Sequence, residues 1–143
     1  MTTTMNTPRA DARGSGTILL CYFVTREMVR PGAFIGGVGA DNENKRELDP
    51  LLLARSTLVT DITEQCCAIG DLHHALAAGA MSRAEVHAEL GEIIAGRKSG
   101  RPSDDEIIVF DSTGTALQDV AAAAAVYRQA LEHGVGTRFP FNA

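Results

Sequence analysis

Apolar positions along this chain come in short blocks separated by glycine, proline and charge. Residues 17–24 (TILLCYFV) are aliphatic and aromatic almost throughout, which predicts a strand. Residues 33–38 (AFIGGV) form a second apolar run, and Arg30-Pro31-Gly32 turns the chain into it. A run without alternation, made of small residues and bounded by turns, predicts a strand buried on both faces. Asp49-Pro50 marks a helix start, with aspartate as N-cap and proline in the first helical position. Leu51 to Leu53 and Ala54 give that helix its apolar face. A third short strand is predicted over residues 58–61. Residues 62–76 read as mostly helical, with a break at Gly70-Asp71 and an end near Gly79.

Ser82-Arg83-Ala84-Glu85 fits a capping box, in which serine and glutamate satisfy free N–H groups reciprocally. The helix it opens places Val86, Leu90, Ile93 and Ile94 on one face and stops near Gly96. Residues 100–105 are a polar loop, and 106–110 (EIIVF) predict a fourth strand. Gly114 and Thr115 open the longest helix, from 116 to 132, with Gly134 as its C′ residue. Strands alternating with helices predict an α/β fold with a mostly parallel sheet of about four strands. The expected architecture is a partial Rossmann-like, three-layer fold with a long C-terminal helix. Residues 1–16 read as a disordered lead-in, 17–134 as a partial dinucleotide-binding domain with a return helix, and 135–143 as an irregular tail.

Composition narrows the class. A chain of 143 residues with 45% apolar and 22% charged residues is one globular domain by the usual prior. A net charge of −5 argues against nucleic acid as a partner, which needs a basic face. No apolar run approaches membrane-spanning length, and the N-terminus lacks the apolar stretch of a secretory signal. The three cysteines, Cys21, Cys66 and Cys67, make no disulfide framework, which points to a reducing cytoplasm. Cys66 and Cys67 read as small apolar side chains of a helix.

Several residues are candidates for chemistry. Ligands of open α/β sheets sit outside the carboxyl ends of the strands, and Asp41 follows the glycine-rich end of the 33–38 run. Burial there raises a carboxyl pKa and suits it to general acid/base work; closing a turn is the plainer role. Lys45 lies four residues on, as a partner or as a solvated cation. Ser112 sits in a strand–Ser-Thr-Gly–helix turn that offers hydroxyls and N–H groups to an anion or a ring amide; helix capping is the alternative. Gly114 would let the backbone approach closely. His73 and His74 are adjacent and lack a third ligand, so no metal site is expected. Asp104-Asp105-Glu106 reads as a solvated charge run, and Glu89 and Glu92 as a solvent-facing pair.

The stretch VRPGAFIGGVGADNENKRELD, residues 29–49, resembles the signature of the ornithine cyclodeaminase / mu-crystallin family. The likeness continues through AELGEIIAG (88–96) and FDSTGTALQD (110–119), in the same order, and covers residues 27–131. It corresponds to the C-terminal part of family members about twice this length or more. The resemblance implies an NAD- or NADP-dependent enzyme of amino-acid metabolism. Its reaction would be deaminating cyclisation of an amino acid, or reduction of a cyclic imine of the pyrroline carboxylate type. It implies a proton-shuttling role for Asp41, a nicotinamide floor at Val38 and Gly39, cofactor contacts at Lys45 and Ser112, and a homo-oligomer, a dimer. For Glu89 and Glu92 it implies packing and capping.

The G-x-G-x-x-G turn that a dinucleotide fold needs after its first strand is missing, since Gly14-Ser15-Gly16 precedes a strand instead of following one. The half that supplies the substrate-holding Arg and Lys has no counterpart either. The loop after 17–24 is shortened to Thr25-Arg26-Glu27, and the first 26 residues read as a truncated or rearranged frame. The alternative function is therefore a catalytically incompetent remnant that only oligomerises or binds a small molecule.

Overall fold

A computed structural model describes residues 23–140. The expected lead-in, most of the 17–24 strand, Cys21 and the last three tail residues lie outside the described residues. Four strands form one parallel sheet: β1 (Phe34–Gly37), β2 (Thr57–Thr60), β3 (Ala88–Glu89) and β4 (Ile108–Asp111), in the order β1-β4-β2-β3. Between them run α1 (Pro50–Ala54), α2 (Thr63–Ile69), α3 (Asp71–Ala77) and α4 (Leu90–Ile94). The fold is α/β, with a long C-terminal helix, α5 (Ala116–His133).

Register explains where the core lies. Ile35, Val109 and Leu58 are paired across β1, β4 and β2, so they point to one face of the sheet. Leu48, Leu52, Leu53, Cys66, Leu72 and Ala75 meet them in one buried cluster. Two residues on, the same face carries Gly37, Asp111 and Thr60, at the carboxyl ends of the same strands. The alternation that brings Val109 into the core thus drives a carboxylate, Asp111, inside as well.

Local chemistry sets most boundaries. Asp49 caps α1 by accepting from the Leu51 N–H at 3.1 Å, and Pro50 opens the helix. The break at Gly70 separates α2 from α3. Gly79 ends the segment in the left-handed region, at φ +64°.

Two expectations are corrected. The Ser82–Glu85 capping box forms, but it opens only a 3-10 turn, Arg83–Glu85. The chain then extends into β3, because the His87 N–H bonds to the Leu58 carbonyl at 2.9 Å and Ala88 pairs with Val59. The helix starts afresh at Leu90. The second correction concerns β1, which lies at an edge of the described sheet and alternates: Ile35 and Gly37 are buried while Phe34 is 53% exposed.

The chain divides into two units, Met1–Thr113 and Gly114–Ala143. Taken by itself, α5 starts on Thr115, whose side chain accepts from the Gln118 N–H, and ends on Gly134 at φ +63°. Leu117, Val120, Ala124, Tyr127 and Leu131 recur at alternating spacings of three and four, an apolar stripe along one side of the helix.

Leu52→Ala removes a fully buried side chain of the cluster and is expected to cost about 2–5 kcal/mol in urea unfolding. Ile94→Ala, at a position 78% exposed, is expected to stay within about 0.5 kcal/mol. Equal costs would contradict this placement of the core.

Candidate active site at the carboxyl end of the sheet

The ends of β1, β4 and β2 lie side by side. The ladder runs one residue beyond the strands: the Ser112 N–H donates to the Gly37 carbonyl at 2.9 Å, and the Asp61 N–H to the Asp111 carbonyl at 3.1 Å. Ser112 is thereby held beside Val38 on one side and Asp61 on the other. Its hydroxyl donates to Asp61 Oδ2 at 2.8 Å. That proton is committed, so what Ser112 offers a ligand is a lone pair. Capping of α5 falls to Thr115 instead.

Val38 leaves β1 with 51% of its surface exposed. Gly39 follows, and its N–H donates to Glu47 Oε2 at 2.9 Å. Asp41 and Lys45 stand at the two ends of the next turn, with Lys45 Nζ 2.6 Å from Asp41 Oδ1. The Asn42 side chain accepts from the Asn44 N–H, and the Asn42 carbonyl from the Lys45 N–H, which closes the turn. Four of the sequence candidates therefore share one loop, and the fifth, Ser112, adjoins its base.

The electrostatics of Asp41 differ from the sequence expectation. The side chain is exposed, and the hydrogen bond and charge of Lys45 hold its carboxyl below the ordinary range. Desolvation acts in the opposite sense and is outweighed. Asp41 is therefore ionised at neutral pH, a base ready to take a proton. An exposed ion pair of this kind is screened by water, so an incoming ligand can exchange Lys45 away at small cost.

Three further acids, unremarked in the sequence, lie beneath the loop: Glu47, Asp71 and Asp111, each 3% exposed or less. Asp111 accepts from the Leu72 N–H at 2.8 Å and the Asp71 N–H at 3.3 Å, at the start of α3. Asp71 Oδ1 accepts from the Glu47 and Leu48 N–H groups at 2.7 and 3.0 Å. Glu47 reaches on to Gly39. His74 Nε2 adds a contact of 2.8 Å to the Lys45 carbonyl. Glycine makes room for each acid: a Cβ at Gly70 would lie 2.7 Å from Asp111 Oδ2, one at Gly37 3.1 Å from Asp71 Oδ2, and one at Gly39 would run into the Glu47 carboxylate. Burial and the neighbouring charge of Asp71 push the Asp111 carboxyl up to about 7. Burial also raises Asp71, against the pull of its two amides.

The remaining candidates have structural roles. Glu89 and Glu92 form a capping box on α4, and Glu89 Oε1 also accepts from the Thr63 N–H at 2.8 Å, at the start of α2. Cys66 is buried, donates to Asp61 Oδ1 at 3.2 Å, and has its thiol pKa raised by burial. His73 bonds the Cys67 carbonyl through Nδ1. Among the described residues no group of three or more His, Cys, Asp or Glu is arranged to hold a metal ion.

This geometry meets its counterparts in known proteins. The sequence profile of the Ornithine cyclodeaminase/mu-crystallin family matches residues 7–134. The chain belongs to this family. It is 45% identical over 118 residues to an alanine dehydrogenase of Archaeoglobus fulgidus, covering 82% of this chain and 37% of that protein. A crystal structure of the iminosuccinate reductase of Paracoccus denitrificans in complex with NAD+ superposes with a TM-score of 0.77 at 38% identity, over 87% of this chain and 38% of that one. The Thermococcus litoralis Delta(1)-pyrroline-2-carboxylate reductase, in complex with NADH and L-proline, superposes with a TM-score of 0.73 at 38% identity, over 81% and 36%. The chain thus spans well under half the length of these family members.

Asp111 makes the buried layer measurable. Its folded-state pKa of about 7 exceeds the ordinary 3.8. Between these values the folded chain keeps a proton that the unfolded chain has released. Stability therefore falls as pH rises through this window, by at most about 1.4 kcal/mol per pH unit from this group. Asp111→Asn is expected to flatten that fall in urea unfolding followed across the window. An unchanged slope would contradict the assignment.

Proposed function

We propose that this chain carries the nicotinamide- and substrate-facing side of an NAD(P)-dependent site for amino-acid and imine chemistry. The reaction class is hydride exchange at a substrate α-carbon. It includes deaminating cyclisation of the ornithine type and reduction of a cyclic imine of the pyrroline carboxylate type. The observation that carries this reading is an ionised aspartate at the carboxyl end of a parallel sheet, one loop away from a serine of fixed hydrogen-bond polarity. Reductase relatives with bound NAD+ or NADH support it.

The residues present suit the nicotinamide end of such a cofactor. Val38 offers an exposed apolar surface and Gly39 an open Cα against which a flat ring can lie. Ser112, with its proton given to Asp61, accepts from a ring carboxamide N–H. Lys45 would supply a cation close to the cofactor. The nicotinamide, when bound, supplies or accepts the hydride. Asp41 takes a proton from a substrate amine as it becomes an imine and returns it in the reverse direction. A substrate ammonium displaces Lys45 from Asp41, ion for ion, so the carboxylate keeps a cationic partner until that ammonium gives up its proton. Loss of that cation on deprotonation raises the Asp41 pKa toward the value an acid needs.

A dimer in a cytoplasmic setting completes the reading. The apolar stripe on α5 favours a second one, in which the chain is an oligomerising or small-molecule-binding module without turnover.

Calorimetry with NADH and NADPH separates the two. The first reading expects binding at or below millimolar nucleotide. It also expects an Asp41→Asn protein to keep cofactor affinity and lose turnover of a cyclic imine by ~100-fold or more. Absence of binding at millimolar nucleotide, or turnover retained by Asp41→Asn, would overturn it.

A further inference from the structure

Asp61 flanks Ser112 on the side away from Val38. The backbone sets that order: the Ser112 N–H donates to the Gly37 carbonyl at 2.9 Å, and the Asp61 N–H to the Asp111 carbonyl at 3.1 Å. The two side chains meet across the ends of β4 and β2, with Ser112 Oγ 2.8 Å from Asp61 Oδ2. The other carboxylate oxygen is engaged from α2. Asp61 Oδ1 accepts from the Ile62 N–H at 2.6 Å and from the buried Cys66 thiol at 3.2 Å, a sulfur that also lies 3.4 Å from the Asp111 carbonyl. These donors hold Oδ1 in place, and Oδ2 is left facing the Ser112 hydroxyl. A carboxylate accepts and does not donate, and a hydroxyl has a single proton. Ser112 is 7% exposed, so little water competes for that proton.

We propose that Asp61 is a positioning residue that sets the ring-substituent specificity of the site: by holding the Ser112 proton it leaves an acceptor for the ring, and it selects a cofactor whose ring carries an amide N–H over one whose ring carries only a carbonyl. The selectivity rests on the nucleotide site proposed above; the Asp61–Ser112 bond does not.

Serine alone does not discriminate, because a free hydroxyl turns to donate or to accept as its ligand demands. Asp61 removes that freedom. An acetyl group in place of the ring carboxamide has nearly the same shape and keeps the carbonyl, but it puts a methyl where the NH2 stood. Turned the other way, it sets its carbonyl oxygen against a serine oxygen with no proton to give. Either way Ser112 is left without a donor, and an unmet polar group away from water is costly. Asp61→Asn inverts the pattern. The Ile62 N–H and the Cys66 thiol keep the amide oxygen, so the amide nitrogen faces Ser112 and donates to it. The Ser112 proton is then free to meet a ring carbonyl.

Calorimetry with NADH and with reduced 3-acetylpyridine adenine dinucleotide reads the selectivity without any turnover. Both dihydropyridine rings are neutral, so the loss of the Asp61 charge acts on the two alike. The wild-type chain is expected to bind NADH ~10-fold or more tighter than the acetyl analogue. Asp61→Asn is expected to bring the two within ~2-fold, by gaining affinity for the analogue. Ser112→Ala removes the acceptor and is expected to bring them equally close through weaker NADH binding, which decides the matter should Asp61→Asn fail to fold. In the nucleotide-free chain, Asp61→Ala and Ser112→Ala are expected to depart from additivity by ~10-fold or more in the unfolding constant. A preference for NADH that Asp61→Asn retains, with both nucleotides weakened alike, is what a merely structural role gives and would overturn the proposal. So would additive unfolding constants. A wild-type chain that binds neither nucleotide overturns the nucleotide site and the selectivity with it; one that binds both equally overturns the selectivity alone.

Discussion

The loop that bears Asp41 is tied to the fold by buried carboxylates. Asp111, on the inward face of β4, takes the first two amides of α3; Asp71, the first residue of that helix, takes the amides of Glu47 and Leu48; Glu47 takes Gly39. Five backbone N–H groups are satisfied by three acids that water does not reach. Burying a carboxylate costs several kcal/mol unless hydrogen bonds offset it, and amide bonds to a charged acceptor return about 1.5–3 kcal/mol each. The balance is close. The protein settles it by leaving Asp111 with a pKa near neutrality, so that some of the charge is never formed.

Such a construction suits a site and is a poor choice for stability alone. A leucine at position 111 would fill the same inward register as Val109 and bury no charge. It would also leave the start of α3 without its two acceptors. The amides fix direction as well as distance, which apolar packing does less sharply, and a reactive group must be held to within a fraction of an ångström. Asp41 itself stays in water, paired with a lysine that can leave. The rigid and exchangeable parts of the loop are thus separate: carboxyls underneath set its height, and a single surface ion pair occupies its tip.

Legibility in the sequence follows the range of the interactions. Asp49-Pro50 announces α1 because cap and helix are adjacent, and Gly70 announces its break for the same reason. Family resemblance, carried by GVGADNENKRELD and FDSTG, marks the loop and Ser112 as the place of interest. Strand β3 is two residues long and exists only because β2 offers it a ladder, so residues 86–90 read as helix until that partner is known. Glu47, Asp71 and Asp111 look like ordinary solvated acids, since the amides they hold lie 8 to 40 positions away in the chain. A trace was present: Asp111 falls on the inward phase of its strand, and Asp71 directly follows a helix-breaking glycine. Lys45 at i+4 was visible from the start, and its hydrogen bond outweighs the desolvation expected at Asp41.

The central claim is that buried carboxyls, one of them still carrying its proton near neutrality, hold the loop beneath an ionised Asp41. Carbon-13 NMR titration of the aspartate side-chain carboxyls tests it most directly. The account predicts a midpoint near 7 for Asp111 and one below the ordinary 3.8 for Asp41. A midpoint for Asp111 at or below 3.8, or one for Asp41 above it, would contradict the account.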